Sequence, residues 1–408
     1  MSAFTTASMR GHGGDRRGDP LQGFHPDVRG RIRSIVKGPG PLEDLADSFP
    51  ALLFALATGF GSAPARTRAR RLVEAGAPLR EAAEMLELPW WLRRLPAEAF
   101  LEPLRHVPDG VEYAQRIAAY VPKSGAEARP WLWAVLYAHR ACHAHYALWV
   151  ASWVGRSHRY LIAPYGDETF RMLTAWAWHA DQPGTPGHRL LRRPWCETLG
   201  VRRALDELVV WRRRVALSML LSASAGEPWV REGHAMGYDF VALRTAEDFI
   251  READAMDNCL DQFADRLEQG SSRVFSVRKD GRSLADLEIG AHDEEPSMPA
   301  VRQLRGPRNR RARPELWKAA YAWLGAQDLR PHLPSPERAN PRALAEPLAF
   351  WKPYLDSIAD AETERAFRQM VIKDGGENRR LDTEPSALSR RRRRAPAPPL
   401  RLRPATRA

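Results

Sequence analysis

Residues 273–289 read RVFSVRKDGRSLADLEI, and this stretch decides the fold class. On both sides of Asp280-Gly281 the apolar residues recur at every second position, the period of a strand and not the 3.6 of a helix. Asp-Gly between two alternating runs signals a two-residue hairpin, because both turn positions need a positive φ. The alternation places Phe275, Val277, Ala285, Leu287 and Ile289 on a core face. Val274, Ser276, Leu284, Asp286 and Glu288 face the other way. A further short run, Ala300–Arg305 (AVRQLR), ends at Gly306 and reads as a third strand.

Helical signals flank these strands. Thr245 stands before Ala246-Glu247-Asp248, an N-cap followed by acids in the first turn. Ile250, Ala253, Met256, Leu260, Phe263 and Leu267 then repeat at helical spacing as far as Gly270. Pro314 opens another helix through Trp317, Tyr321 and Leu324. Residues 230–330 are therefore expected to form a small three-stranded antiparallel α+β domain.

Outward from that domain the pattern is helical. Between 42 and 229, long segments with apolar residues three to four apart are broken by Gly and Pro. Ten of the 14 Trp fall between Trp90 and Trp211, which implies a core filled by large aromatics. Residues 131–154 are long enough to span a bilayer, but His139, Arg140, His143 and His145 sit at their centre. Pro130 and Gly155 bracket them as an ordinary helix start and stop, so one buried core helix is expected and no membrane span. A helical C-terminal segment is expected over 331–375. The fold class is thus α+β and predominantly helical, with an all-α N-terminal region before the α+β domain.

The 408 residues carry a formal net charge of +12, with 44% hydrophobic and 27% charged residues. That balance supports a packed core and excludes a wholly disordered chain. Three cysteines exclude a disulfide scaffold and a four-cysteine zinc ribbon. The basicity concentrates at the ends. Residues 1–41 hold seven Lys/Arg against three acids, and 377–408 hold ten Arg against three, while the body is close to neutral. Arg390, Arg391, Arg392, Arg393 and Arg394 precede Ala-Pro-Ala-Pro-Pro in a tail expected to stay disordered, as does the basic arm 1–41. Such a tail can neutralise nucleic-acid phosphates without sequence preference. The alternative is a solvated or membrane-surface charge run. Arg10, Arg16 and Arg17 have no apolar core behind them, so no secretory signal is read and a cytoplasmic location is expected.

Four groups of residues carry candidate chemistry. Residues 68–95 have helix-turn-helix-like spacing, with Arg93 and Arg94 on the third element, the one that would enter a major groove. Trp90 and Trp91 on the same element suit core anchors instead. His139, Cys142 and His143, at i, i+3 and i+4, would share a helix face as imidazole and thiolate ligands suited to zinc. No fourth ligand is identifiable, and no cofactor motif is found. Cys259 sits on or beside an apolar helix face, either as a small buried hydrophobe or as a nucleophile. Asp286 and Glu288 on one strand face form a possible carboxylate pair.

Residues 243–325 resemble the C-terminal domain of PcfJ-like proteins, named from a conjugative plasmid. The residues that carry the resemblance are Cys259, Phe275, Ser276, Arg278, Gly281, Glu288, Gln303, Arg305, Gly306 and Asn309. Glu252-Ala253, Asp257-Asn258 and Leu260-Asp261 depart from the family pattern of Glu-Gly, His-His and Val-Gly. The resemblance implies plasmid or mobile-element biology and no defined reaction. Gln303 and Arg305 share a strand face and would meet Asp286 and Glu288 if that face is common. Asn309 would cap the following turn.

Together these readings lead to a nucleic-acid-associated accessory protein, using the tails and either residues 68–95 or the Gln303–Asn309 face. Two alternatives stay open. One is an enzyme with Cys259, Asp286, Glu288, Gln303, Arg305 and Asn309 around one pocket. The other is a protein–protein scaffold built on the Trp-rich helices.

Overall fold

A computed structural model describes residues 19–122, 124–161, 166–221, 230–268, 272–295, 298–327 and 345–377. The chain divides into two compact units. One comprises the residues up to Val215 together with Trp351–Phe367, and the other comprises Ala216–Phe350 and the residues from Arg368 onward.

The first unit is helical. It begins with α1 (Pro26–Ile35), α2 (Pro41–Ser48), α3 (Pro50–Thr58), α4 (Ala63–Glu74), α5 (Leu79–Met85) and α6 (Val111–Ile117). Helices α7 (Gly125–Ala141), α8 (Ala144–Leu161), α9 (Gly166–Ala180), α10 (Pro186–Arg189) and α11 (Val201–Leu220) follow. Helix α1 lies inside the arm expected to be disordered. Its buried Val28 and Ile32, four residues apart, give it a face to pack, and the prolines that open α1 to α3 fit a first turn that needs no N–H. Late in the chain, α15 (Ala345–Ser357) and α16 (Ala361–Glu377) bring Trp351, Tyr354 and Phe367 into the same unit. Trp351 packs against Trp211, and Tyr354 against Trp178.

Residues 131–154 are two helices and not one. The chain leaves helical geometry at Cys142 (φ −142°, ψ −99°), and His143 restarts it. The His143 Nδ1 accepts the Tyr146 N–H at 3.1 Å, serving as a side-chain cap for α8. Among the described residues no helix is long and apolar enough to cross a membrane.

The second unit is built on an antiparallel sheet of six strands in sequence order, rather than three. These are β1 (Gly233–Ala235), β2 (Tyr238–Ala242), β3 (Ser272–Lys279), β4 (Arg282–Ala291), β5 (Pro299–Gly306) and β6 (Arg310–Arg311). The Asp280-Gly281 hairpin forms as expected, with φ of 50° and 73° at its two turn residues. The three additional strands are only two to five residues long and lack sustained alternation. Met236 and Gly237 turn β1 into β2 with positive φ at both positions, although Met-Gly is a weak turn signature.

One sheet face packs Phe240, Phe275, Val277, Ala285, Leu287, Ile289 and Leu304 against α14 (Pro314–Gly325). Trp323 of α14 lies flat on Phe240, with ring centroids 4.5 Å apart and planes 4° apart. The opposite face meets α12 (Ala246–Met256) and α13 (Ala264–Glu268) around Phe249, Ala253, Phe263 and Val274. The expected long helix to Gly270 stops at Met256. Asp257 takes a left-handed φ of 49°, and Cys259 then stands in a turn before the 3-10 segment Leu260–Gln262.

Candidate functional site

The α12-facing side of the sheet carries buried polar groups where an apolar surface would be simpler. Glu252, on the inner face of α12, is 3% exposed, and Asp286 on β4 is 5% exposed. Ser276 Oγ donates to Glu252 Oε1 at 2.7 Å, and Arg278 Nη2 donates to Oε2 at 3.2 Å. Asn258 Nδ2 donates to Asp286 Oδ2. Burial, followed by the negative charge of Glu252, pushes Asp286 up to about 8 against the pull of the Asn258 hydrogen bond. A carboxyl that keeps its proton near neutral pH beside a second buried carboxyl is the usual raw material of acid–base chemistry. Here both are closed in and braced by neighbouring side chains, so the arrangement ties α12 to β3 and β4.

Glu288 belongs to a separate cluster. Both of its oxygens accept from Arg266 Nη1 at 3.1 Å, and Ser272 Oγ donates to Oε1 at 2.5 Å. Asn309 Nδ2 donates to Cys259 Sγ at 3.2 Å, while Arg308 Nε donates to Asp257 Oδ2 at 3.0 Å. The β5–β6 turn is thereby clipped to the turn after α12. An amide is no base, so Asn309 does not give Cys259 the partner a nucleophile needs. In the strand register Asp286 opposes Arg305 and Glu288 opposes Gln303, so all four share one face as expected. Among the described residues no hydrogen bond or ion pair joins Asp286 to Arg305, which stands exposed while Asp286 is buried. The candidates' hydrogen bonds fall into separate sets, with Asp286 bound to Asn258, Glu288 to Arg266 and Ser272, and Asn309 to Cys259.

The helix-turn-helix expectation fails on its third element. Residues 90–94 form a single 3-10 segment with Trp91 and Leu92 buried, too short to lie along a groove. Arg93 Nε donates to the Ser48 carbonyl at 3.2 Å, and Arg94 Nη1 to the Ala118 carbonyl at 3.1 Å. Both guanidiniums thus brace the helical unit beside a groove of about 390 Å³ that Trp90 and Ala114 also line.

His139, Cys142 and His143 do not form a ligand set, because the helix that would align them ends at Ala141. His143 Nε2 donates to Asp181 Oδ2 at 2.6 Å, its other nitrogen being occupied as the cap. Burial holds the Cys142 thiol well above its ordinary value, which favours the neutral thiol. Burial also lowers His139. Among the described residues no three His, Cys, Asp or Glu converge to hold a metal ion.

The strand register also exposes a basic edge that the overall charge balance hides. Residues 302–313 (RQLRGPRNRRAR) contain six Arg and no acid. All six are exposed, on β5, in the turn that follows it, on β6 and at the N-cap of α14. Arg302 pairs with Asp293 and Arg308 with Asp257. Arg305, Arg310, Arg311 and Arg313 have no carboxylate partner among the described residues. Arg305 and Arg311 oppose each other directly across β5 and β6. Like charges in that position are destabilising, and no carboxylate among the described residues pairs with either of them. A charge count over a twelve-residue window reveals this edge, whereas a count over the whole body averages it away. Arg390, Arg391, Arg392, Arg393 and Arg394 lie outside the described residues.

Comparison with known proteins finds no matching family model, no matching curated protein and no matching solved structure.

Proposed function

We propose that this chain associates with nucleic acid through the arginine edge of its sheet, as an accessory protein of the PcfJ-like kind in plasmid or mobile-element processing. The observation that carries the reading is the direct opposition of Arg305 and Arg311 across two strands. A phosphate seated there would relieve their repulsion and accept from both guanidiniums, whose planar donor arrays suit phosphate oxygens. Arg310 and Arg313 extend the positive surface along the chain. Backbone phosphates set affinity and position without specifying sequence, which fits an edge of arginines. Arg390 to Arg394 add non-specific attraction in the same sense.

The test is fluorescence anisotropy of a labelled oligonucleotide with the full chain at several salt concentrations. Replacing Arg305 and Arg311 by Ala is expected to weaken binding at low salt. It should also flatten the dependence of log affinity on log salt by about 0.7 to 0.9 for each phosphate that is no longer neutralised. Unchanged affinity and slope would overturn the reading.

A further inference from the structure

The nucleic-acid reading leaves open which form of the polymer is bound, and the surface that follows the arginine edge bears on this. Arg310 and Arg311 end the sheet, and Arg313 caps α14. Trp317 and Tyr321 then follow one helical turn apart, so they lie on one face of α14. Trp317 is half-buried against the sheet core. Tyr321 is 58% exposed, its ring 5.9 Å from that of Trp317 and inclined by 31°. The exposed acid of the first turn, Glu315, falls two residues before Trp317 and so on the opposite side of the helix.

Guanidiniums and exposed aromatic rings recognise different parts of a polynucleotide. Phosphates answer to the first, and the faces of bases to the second. A duplex hides its base faces in the stack and could use only the arginines. An unpaired strand can use both. From Arg313 to Tyr321 the helix covers about 12 Å, enough for several nucleotides at about 3.4 Å of stacked strand each.

We propose that Arg310, Arg313, Trp317 and Tyr321 form a binding surface for single-stranded nucleic acid, with bases stacking on the two rings and phosphates held by the two arginines. This rests on the nucleic-acid reading above, and the experiment separates the two.

The full chain is titrated into a labelled single strand of about 20 nucleotides and into a duplex of the same length. Tyr321→Ala and Tyr321→Phe are titrated in parallel, Tyr321 being exposed enough for both variants to fold. The wild type should prefer the single strand. Tyr321→Ala should weaken single-strand binding about tenfold and leave duplex binding unchanged, and Tyr321→Phe, which keeps the ring, should bind like the wild type. Duplex binding as tight as single-strand binding, or a single-strand affinity untouched by Tyr321→Ala, would overturn the single-strand assignment alone. No salt-dependent binding of either probe would overturn the nucleic-acid reading with it.

Discussion

Asp286 and Arg305 are direct neighbours across β4 and β5, yet the carboxyl is buried beside a second acid while the guanidinium stands in solvent. Asp286 is held by Asn258, faces Glu252, and keeps its proton into the neutral range. The cross-strand position alone would suggest an ion pair. The covering helix decides otherwise, because α12 brings Glu252 and the Asn258 turn over β4.

The protonation of Asp286 makes stability depend on pH in a stated direction. Its folded value is raised from 3.8 to about 8, so the folded state holds a proton that the unfolded state releases. The associated stability is full below about pH 4 and is lost as pH rises toward 8, at no more than about 1.4 kcal/mol per unit. Asp286→Asn preserves the neutral amide-like hydrogen bonding and cannot ionise. Thermal unfolding from pH 5 to 9 should show a flatter profile for this variant and a higher Tm at the alkaline end.

Glu288 and Arg266 should behave unequally, although they are partners. Arg266→Ala removes a side chain that is 57% exposed and should cost less than about 1 kcal/mol. Glu288→Ala leaves the buried Ser272 hydroxyl without its acceptor and should cost about 2–3 kcal/mol. Urea unfolding of the two variants measures the difference.

Gly187 has almost no room for a side chain. A Cβ there would sit 2.6 Å from the His179 ring, and His179 is fixed between Trp178 and Trp211. Gly187→Ala should therefore lower stability by about 1–3 kcal/mol, read as a fall in Tm.

Trp323→Ala removes the ring that lies on Phe240 and meets Phe275 edge-on at 4.9 Å. A loss of about 3–5 kcal/mol is expected, with weakened amide exchange protection across β2 and β3.

The parts of this fold that the sequence announces are those with long, regular patterns. The Asp280-Gly281 hairpin, the N-cap at Thr245 and the start of α14 at Pro314 all fall where expected. The short strands β1, β2 and β6 carry too few residues for alternation to register. The breaks at Cys142 and Asp257 involve no Gly or Pro, and only a side-chain cap and a left-handed aspartate reveal them. At the candidate site, the shared face of Asp286, Glu288, Gln303 and Arg305 follows from strand parity. Glu252 and Asn258 are not legible as the partners of Asp286, because their approach depends on how α12 docks and sequence spacing carries no record of that.

The division of the chain has a consequence for its biosynthesis. Val215 and Trp351 belong to the same unit, with nearly all of the sheet unit lying between them in sequence. On the ribosome, the aromatic surface of Trp178 and Trp211 emerges before the sheet but meets Trp351 and Tyr354 only after the sheet has been made. The sheet, whose strands pair with their immediate sequence neighbours, can close before that. The Trp-rich helices are thus begun before the sheet and closed after it, and a ribosome that stalls after α14 would release a chain whose sheet is complete while its Trp-rich helices still lack their closing pair.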